Sequence, residues 1–214
     1  MSSPQQSSIS RTAAYLAAPL WAGQALVWTV GPKVQEQAAP YRISDTALFE
    51  LFWLSIAAAV GASALAALAI PAHLGARPTR VVQAASALAR VAVAFAGVAA
   101  VSIAVAPVPP LQPAALTVMT YALYAAIFAL AAGLTLYAVA GWTSASRADT
   151  PVLLPSVLAA LTIATIVAIL ASGTASRTAL TFAVVVVVLD GAAWLVWGRA
   201  LASTRQHHHA AAHA

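Results

Sequence analysis

The segment from Arg177 to Arg205 constrains the fold of this chain more than any other stretch. It is a nearly continuous apolar run with an arginine at each end, and about 20 apolar residues are enough to cross the hydrocarbon core of a bilayer as a helix. One carboxylate, Asp190, lies near the middle of the run. An acid at that depth costs about 2.5–3.5 kcal/mol on insertion scales, so it should face protein or water and have a partner.

The composition of the whole chain agrees with a membrane location. Hydrophobic residues make up 62% and charged residues 7% of its 214 residues, whereas soluble domains carry about 25% charged residues. These few charges cannot cover a water-facing surface, so we expect an all-α, polytopic protein whose surroundings are the lipid bilayer. The net charge of +5 is scattered over segment ends, which does not suit nucleic-acid binding because that needs a clustered basic face.

Apolar runs separated by loops rich in Pro, Gly and charge predict a bundle of six transmembrane helices. They lie at about 12–30, 46–70, 82–106, 113–142, 152–171 and 178–201, within a transmembrane domain of residues 12–202. Residues 1–11 form a Ser- and Gln-rich leader and residues 203–214 a His-containing tail. We expect both to be disordered, because neither has enough apolar surface to bury.

Orientation follows from the basic residues in the loops, which concentrate on the cytoplasmic side. An N-in, C-in topology places six arginines inside and three basic residues outside. The inner set is Arg11, Arg77, Arg80, Arg147, Arg199 and Arg205, and the outer set is Lys33, Arg42 and Arg177. Abundant Ala and a preference for Arg over Lys are typical of high-GC bacteria, so we expect a multi-pass protein of a bacterial inner membrane.

Arg90 is the predicted partner of Asp190. It lies roughly 9 Å inside the cytoplasmic end of the third span, and its side chain is long enough to reach further in. An Arg90–Asp190 pair would fix the packing of the third span against the sixth. An acid that instead faced a cavity would handle protons or ions, as intramembrane ionisable groups commonly do. The sequence leaves both interpretations open.

Glu50 lies about one turn inside the outer end of the second span. The favoured interpretation is interfacial, with the carboxylate in headgroup water or paired with Arg42 or Lys33, because a charge costs little near an interface. The alternative makes Glu50 the mouth of a polar cleft whose floor is Asp190.

Gln24 lies between Trp21 and Trp28 on one stripe of the first span. This pattern favours an interface belt with one interhelical hydrogen bond over an aromatic-walled pocket that binds a cation or a ring. The aromatic residues considered for such a pocket are Trp21, Trp28, Tyr121, Tyr124 and Trp194.

No motif in the sequence names a reaction. The chain has no cysteine, and His73 is the only histidine outside the tail, so we predict no metal site and no cofactor. Walker loops, dinucleotide-binding glycines and nucleophile elbows are missing from the sequence. We therefore predict no catalytic residue.

Three functions remain. The favoured one is a non-catalytic helical bundle or accessory membrane component, with a partner membrane protein or further copies of itself. The second is a small-solute or proton-coupled transporter that uses Asp190, Arg90 and Glu50. The third is an intramembrane enzyme acting on a lipid-like substrate, with Glu50 and Asp190 as general acid and base.

Overall fold

The computed structural model describes residues 3–37, 45–73, 79–108, 110–144, 153–172 and 177–212, and side chains within 8–25, 50–72, 79–108, 110–143, 153–167 and 181–202. The described residues form helices and no strand. The helices are α1 (Ser3–Gln37), α2 (Asp45–Ala67), α3 (Ile70–His73), α4 (Arg80–Val105), α5 (Gln112–Ser144), α6 (Leu153–Ser172) and α7 (Arg177–Ala212). The prediction of an all-helical chain is therefore confirmed over this part.

Four of these helices are long and apolar enough to cross a membrane. The described candidates are Glu50–Ala72, Arg80–Val105, Gln112–Thr143 and Thr181–Ala202, and a shorter apolar stretch covers Leu153–Val167. Helices suit this setting because each satisfies its own backbone hydrogen bonds where water is missing. By their length and composition, these four helices indicate a membrane protein.

The ends of the helices differ in places from the predicted spans. α1 begins at Ser3, within the predicted leader, and α7 continues to Ala212, through most of the predicted tail. Extending an existing helix adds a hydrogen bond for each residue fixed, so polar flanks can continue a helix that an apolar span has nucleated. α2 ends at Ala67, and Pro71, the predicted stop, lies within the short helix α3.

The six long helices form a closed ring in the order α1, α2, α4, α5, α6 and α7, and α7 returns to pack against α1. α2 also contacts α5 across the ring. Each helix therefore turns one face toward the interior. The largest fully buried side chains of that interior include Trp194, Trp197 and Tyr137.

Glycine allows the closest approaches between neighbouring helices. A Cβ atom added to Gly191 of α7 would lie 2.8 Å from the backbone oxygen of Ala18 in α1, and one added to Gly133 of α5 would lie 3.2 Å from the oxygen of Ala85 in α4. Both distances are tight, so the backbones meet there because no side chain separates them. Small residues serve helix packing in membranes in this way.

Candidate functional site

Asp190 lies at the centre of the described part of α7 with no exposed surface. Thr165 of α6 donates a hydrogen bond from its hydroxyl to Oδ2 of Asp190 at 3.4 Å, which is a long and weak contact. The other carboxylate oxygen, Oδ1, has no hydrogen-bond partner. A side chain with zero exposure touches no water-sized space, so the acid is enclosed by protein in this conformation.

Two further polar groups lie near the acid without a bond of their own. Trp194 is one turn along α7, and its indole lies close to the carboxyl group. The indole Nε1 nevertheless makes no hydrogen bond. Thr162 of α6 is buried, and its hydroxyl also has no partner. α6 and α7 are consecutive and antiparallel, so the Thr165–Asp190 contact places Thr162 at the level of Trp194. One α6–α7 seam thus contains three of the unpartnered buried polar atoms.

The predicted Arg90–Asp190 pair is not formed. Arg90 is exposed on α4, and its charge lies near the phenol of Tyr137 in α5. α4 lies between α2 and α5 in the ring, whereas α7 lies between α6 and α1. Sequence spacing gives the depth of a residue along its own helix. It does not show that α4 and α7 are separated around the ring.

Gln24 of α1 is buried and donates a hydrogen bond from Nε2 to the hydroxyl of Ser55 in α2, while its Oε1 has no partner. One turn away, Nε1 of Trp21 donates to the hydroxyl of Ser63 in α2 at 3.0 Å. Both side chains therefore join α1 to α2. The side chain of Trp28 lies outside the described residues.

Glu50 is half-buried near the start of α2. Nε1 of Trp197 donates to the backbone oxygen of Ala66 at 3.2 Å, which sets the register of α7 against α2. With the α1 contacts of both helices, this register places Glu50 roughly 10–13 Å from Asp190 along the helix axes, at 1.5 Å per residue. The two carboxylates thus lie at different depths.

The tyrosines considered for an aromatic pocket lie on the outside of the bundle. Tyr121 is 72% and Tyr124 39% exposed, on the same face of α5 as Phe128. Trp21 and Trp194 are buried in the interior. The four of these aromatic residues whose side chains are described, Trp21, Tyr121, Tyr124 and Trp194, therefore do not share one pocket.

An apolar groove of about 570 Å³ lies between α1, α2 and α4. Its lining is small or aliphatic, and consists of Ala13, Leu16, Pro19 and Leu20 from α1, Ala57, Ala58, Gly61, Ala62 and Leu65 from α2, and Val93, Ala96, Gly97 and Ala100 from α4. In the sequence, Gly97 follows Arg90 by seven residues and so shares a stripe of α4 with it, but this spacing does not predict a groove. A groove forms where three helices diverge, and the sequence of a single helix does not show where that happens.

Comparison of the chain with protein-family models, with curated proteins and with solved structures found no match in any of the three.

Proposed function

We propose that the chain is a six-span protein of a bacterial inner membrane, with both termini in the cytoplasm, that serves as a non-catalytic accessory component of a membrane assembly. α1 and α6 supply the two spans beyond the four long apolar helices, because they complete the ring. The distribution of arginine among the loops supports the orientation.

The enclosure of Asp190 supports the accessory role. An acid that served a substrate would border a space that the substrate or water could enter, whereas Asp190 has zero exposure and is held against α6 by Thr165. Its position between two packed helices suits an element that fixes how α6 and α7 meet. A polar contact buried between membrane helices is worth about 0.6 kcal/mol on average, enough to favour one register over another.

Isolation of the tagged chain from its native membranes tests the accessory role. After extraction in a mild detergent, we expect it to elute with a stoichiometric partner membrane protein or with further copies of itself. Untagged membranes processed in parallel give the background. A preparation that contains only single protomers would contradict the accessory role.

The lack of cysteine makes the topology directly measurable. A membrane-impermeant maleimide should label Ala38→Cys in intact cells and should label Ser146→Cys only after permeabilisation. The reverse pattern would invert the orientation. Equal labelling of both variants in intact cells would contradict an odd number of spans between these positions, which the proposed topology requires.

Proton-coupled transport is the second candidate, and one observation favours it. Asp190 has no cationic partner among the described residues, and its Oδ1 is unpartnered, so nothing described here neutralises a carboxylate that is expensive to bury. Another conformation could bring that oxygen to water or substrate.

Proton flux separates the two candidates. The purified protein is placed in vesicles that contain a pH-sensitive dye. If the chain is a transporter, we expect a membrane potential to drive proton uptake, which Asp190→Asn abolishes and Thr162→Val retains. Both variants should accumulate normally in the membrane. If the chain is an accessory component, none of the three proteins should take up more protons than empty vesicles do.

A further inference from the structure

Arg90 lies about one turn beyond the lining of the groove between α1, α2 and α4. Arg90, Val93 and Gly97 lie at i, i+3 and i+7 and therefore share one stripe of α4. Val93 and Gly97 line the groove, and Arg90 is exposed about one turn below them. Side chains on a helix lean toward its N-terminus, so we expect the guanidinium to lie on the Arg80 side of the groove.

The lining of the groove is open where its α4 wall meets the outside. A Cβ atom added to Gly97 would meet nothing within 4 Å, whereas one added to Gly61 on α2 would meet the Cβ of Ala96 at 3.4 Å. The floor is therefore packed and the side at Gly97 is empty. From Val93 to Ala100 the groove runs for roughly 10 Å along α4.

This combination suits an amphiphile with an anionic head. An apolar trough accepts a flexible hydrocarbon chain at the level of Val93 to Ala100, and an arginine at its mouth pairs with phosphate. In the orientation proposed above, the mouth faces the cytoplasmic leaflet. Basic residues near a membrane surface attract anionic lipid headgroups there.

A second copy of the chain fits the groove less well. Gly61 packs at the level of Ala96, so Glu50 and Arg90 lie roughly 25 Å apart along the helix axes. Asp190 is enclosed. Two copies inserted in the same direction therefore bring no described carboxylate to the depth of Arg90.

A transmembrane helix from another protein also fits less well. The groove runs for only about two helical turns along α4, whereas a transmembrane helix offers roughly 30 Å of side chains to its neighbour. Most of such a helix would therefore lie beyond the groove, whereas an acyl chain follows the trough.

We propose that the α1–α2–α4 groove binds one acyl chain of an anionic phospholipid of the cytoplasmic leaflet, and that Arg90 holds the phosphate of the same lipid. The proposal rests on the proposed membrane location and orientation of the chain. Its lipid preference is measurable in detergent, where orientation plays no part, so its failure is distinct from a failure of the topology.

Native mass spectrometry of the purified full chain tests the headgroup contact. Phosphatidylglycerol and phosphatidylcholine with matched chains are titrated separately, and we expect phosphatidylglycerol to bind more tightly. Arg90→Gln should lower the affinity for phosphatidylglycerol about five-fold, the effect of one basic residue near the headgroups, and leave phosphatidylcholine unchanged. Arg80→Gln, an exposed arginine on the same helix but off the stripe, is the matched control, and Arg90→Lys should retain the preference.

A second pair of variants tests the groove. Gly97→Leu should fill the open side and weaken binding of both lipids, whereas Ala132→Leu, an exposed site on α5, should weaken neither. A headgroup preference that survives Arg90→Gln, or wild-type binding of both lipids by Gly97→Leu, would overturn the proposal. So would a photoreactive residue at position 97 that labels only a polypeptide in native membranes, because the occupant would then be a protein.

Discussion

The two sides of the bundle are held together by different chemistry. Where α1, α2 and α7 meet, side chains reach across to neighbouring helices. Trp21 bonds Ser63, Gln24 bonds Ser55, and Trp197 bonds the backbone oxygen of Ala66. Along α4, the described side chains form one hydrogen bond to another helix, between the hydroxyls of Ser86 and Tyr137 at 2.9 Å.

The α4 side relies on close packing instead. Gly133 of α5 admits the α4 backbone at Ala85 and Ala89, and Ser102 of α4 bonds the carbonyl of Val98, one turn back in its own helix. Apolar surface does not drive helices together in lipid, so contact area and hydrogen bonds must do so. On the side formed by α1, α2 and α7 (the polar side), hydrogen bonds join particular atoms of neighbouring helices. On the α4 side, the helices are held mainly by contact area.

The glycine contacts give the largest expected effect. Gly191→Ala should lower the free energy of unfolding by roughly 1–3 kcal/mol, because its new Cβ must push apart two backbones. Gly133→Ala should cost less, since its contact is looser by several tenths of an ångström. Gly23→Ala is the control, because its Cβ would meet nothing within 4 Å.

Unfolding of the purified protein by sodium dodecyl sulfate, followed by tryptophan fluorescence, ranks the three variants. If Gly191→Ala unfolds at the wild-type midpoint, the α1–α7 contact is more adaptable than the distances indicate. The side of the bundle formed by α1, α2 and α7 would then have no rigid backbone contact at Gly191.

Double-mutant cycles compare the hydrogen bonds of the two sides. Trp21→Phe with Ser63→Ala should give a coupling energy of about 0.6 kcal/mol, with about 1.7 kcal/mol as the upper bound for such pairs. The same cycle with Ser86→Ala and Tyr137→Phe should give a similar value. Similar couplings mean that the sides differ in the number of bonds. No coupling for Trp21–Ser63 would remove hydrogen bonding as the basis of the comparison.

Substitutions of the two buried threonines of α6 should have the smallest effects on stability. They are also the most closely matched pair of variants. Thr165→Val removes the weak bond to Asp190 and should lower the free energy of unfolding by about 0.6 kcal/mol or less. Thr162→Val has the same shape change and removes a buried hydroxyl that has no partner, so stability should stay constant or rise. The same detergent-unfolding measurement decides between them, and equal losses would show that both hydroxyls have partners in solution.

The sequence predicted the helices better than it predicted their partners. Apolar runs and proline breaks placed four of the predicted spans within a few residues of the ends of the observed helices, because each helix satisfies its backbone locally. Polar flanks were less predictable, as α1 shows by starting at Ser3. The Arg90–Asp190 pair failed because sequence gives depth along a helix but not position around the ring.

The direction in which a helix faces could be predicted only in part. On α6, Ala160, Ala164 and Ala168 recur every four residues, a spacing typical of a packing ridge of small residues. Ala160 is nevertheless exposed, and Thr162 and Thr165 are buried. Alanine is tolerated equally by lipid and by protein, so it does not orient a helix. A hydroxyl is more informative, because lipid gives it no partner.

The contact between α1 and α7 also has a consequence for synthesis. The ribosome releases α1 before α7, and the ring closes only when these two helices meet. Until then the surface of α1 around Ala18 and Trp21, which Gly191 covers in the finished protein, has no α7 beside it. A nascent chain that ends before Arg177 would therefore expose the surface of α1 that α7 covers in the folded protein.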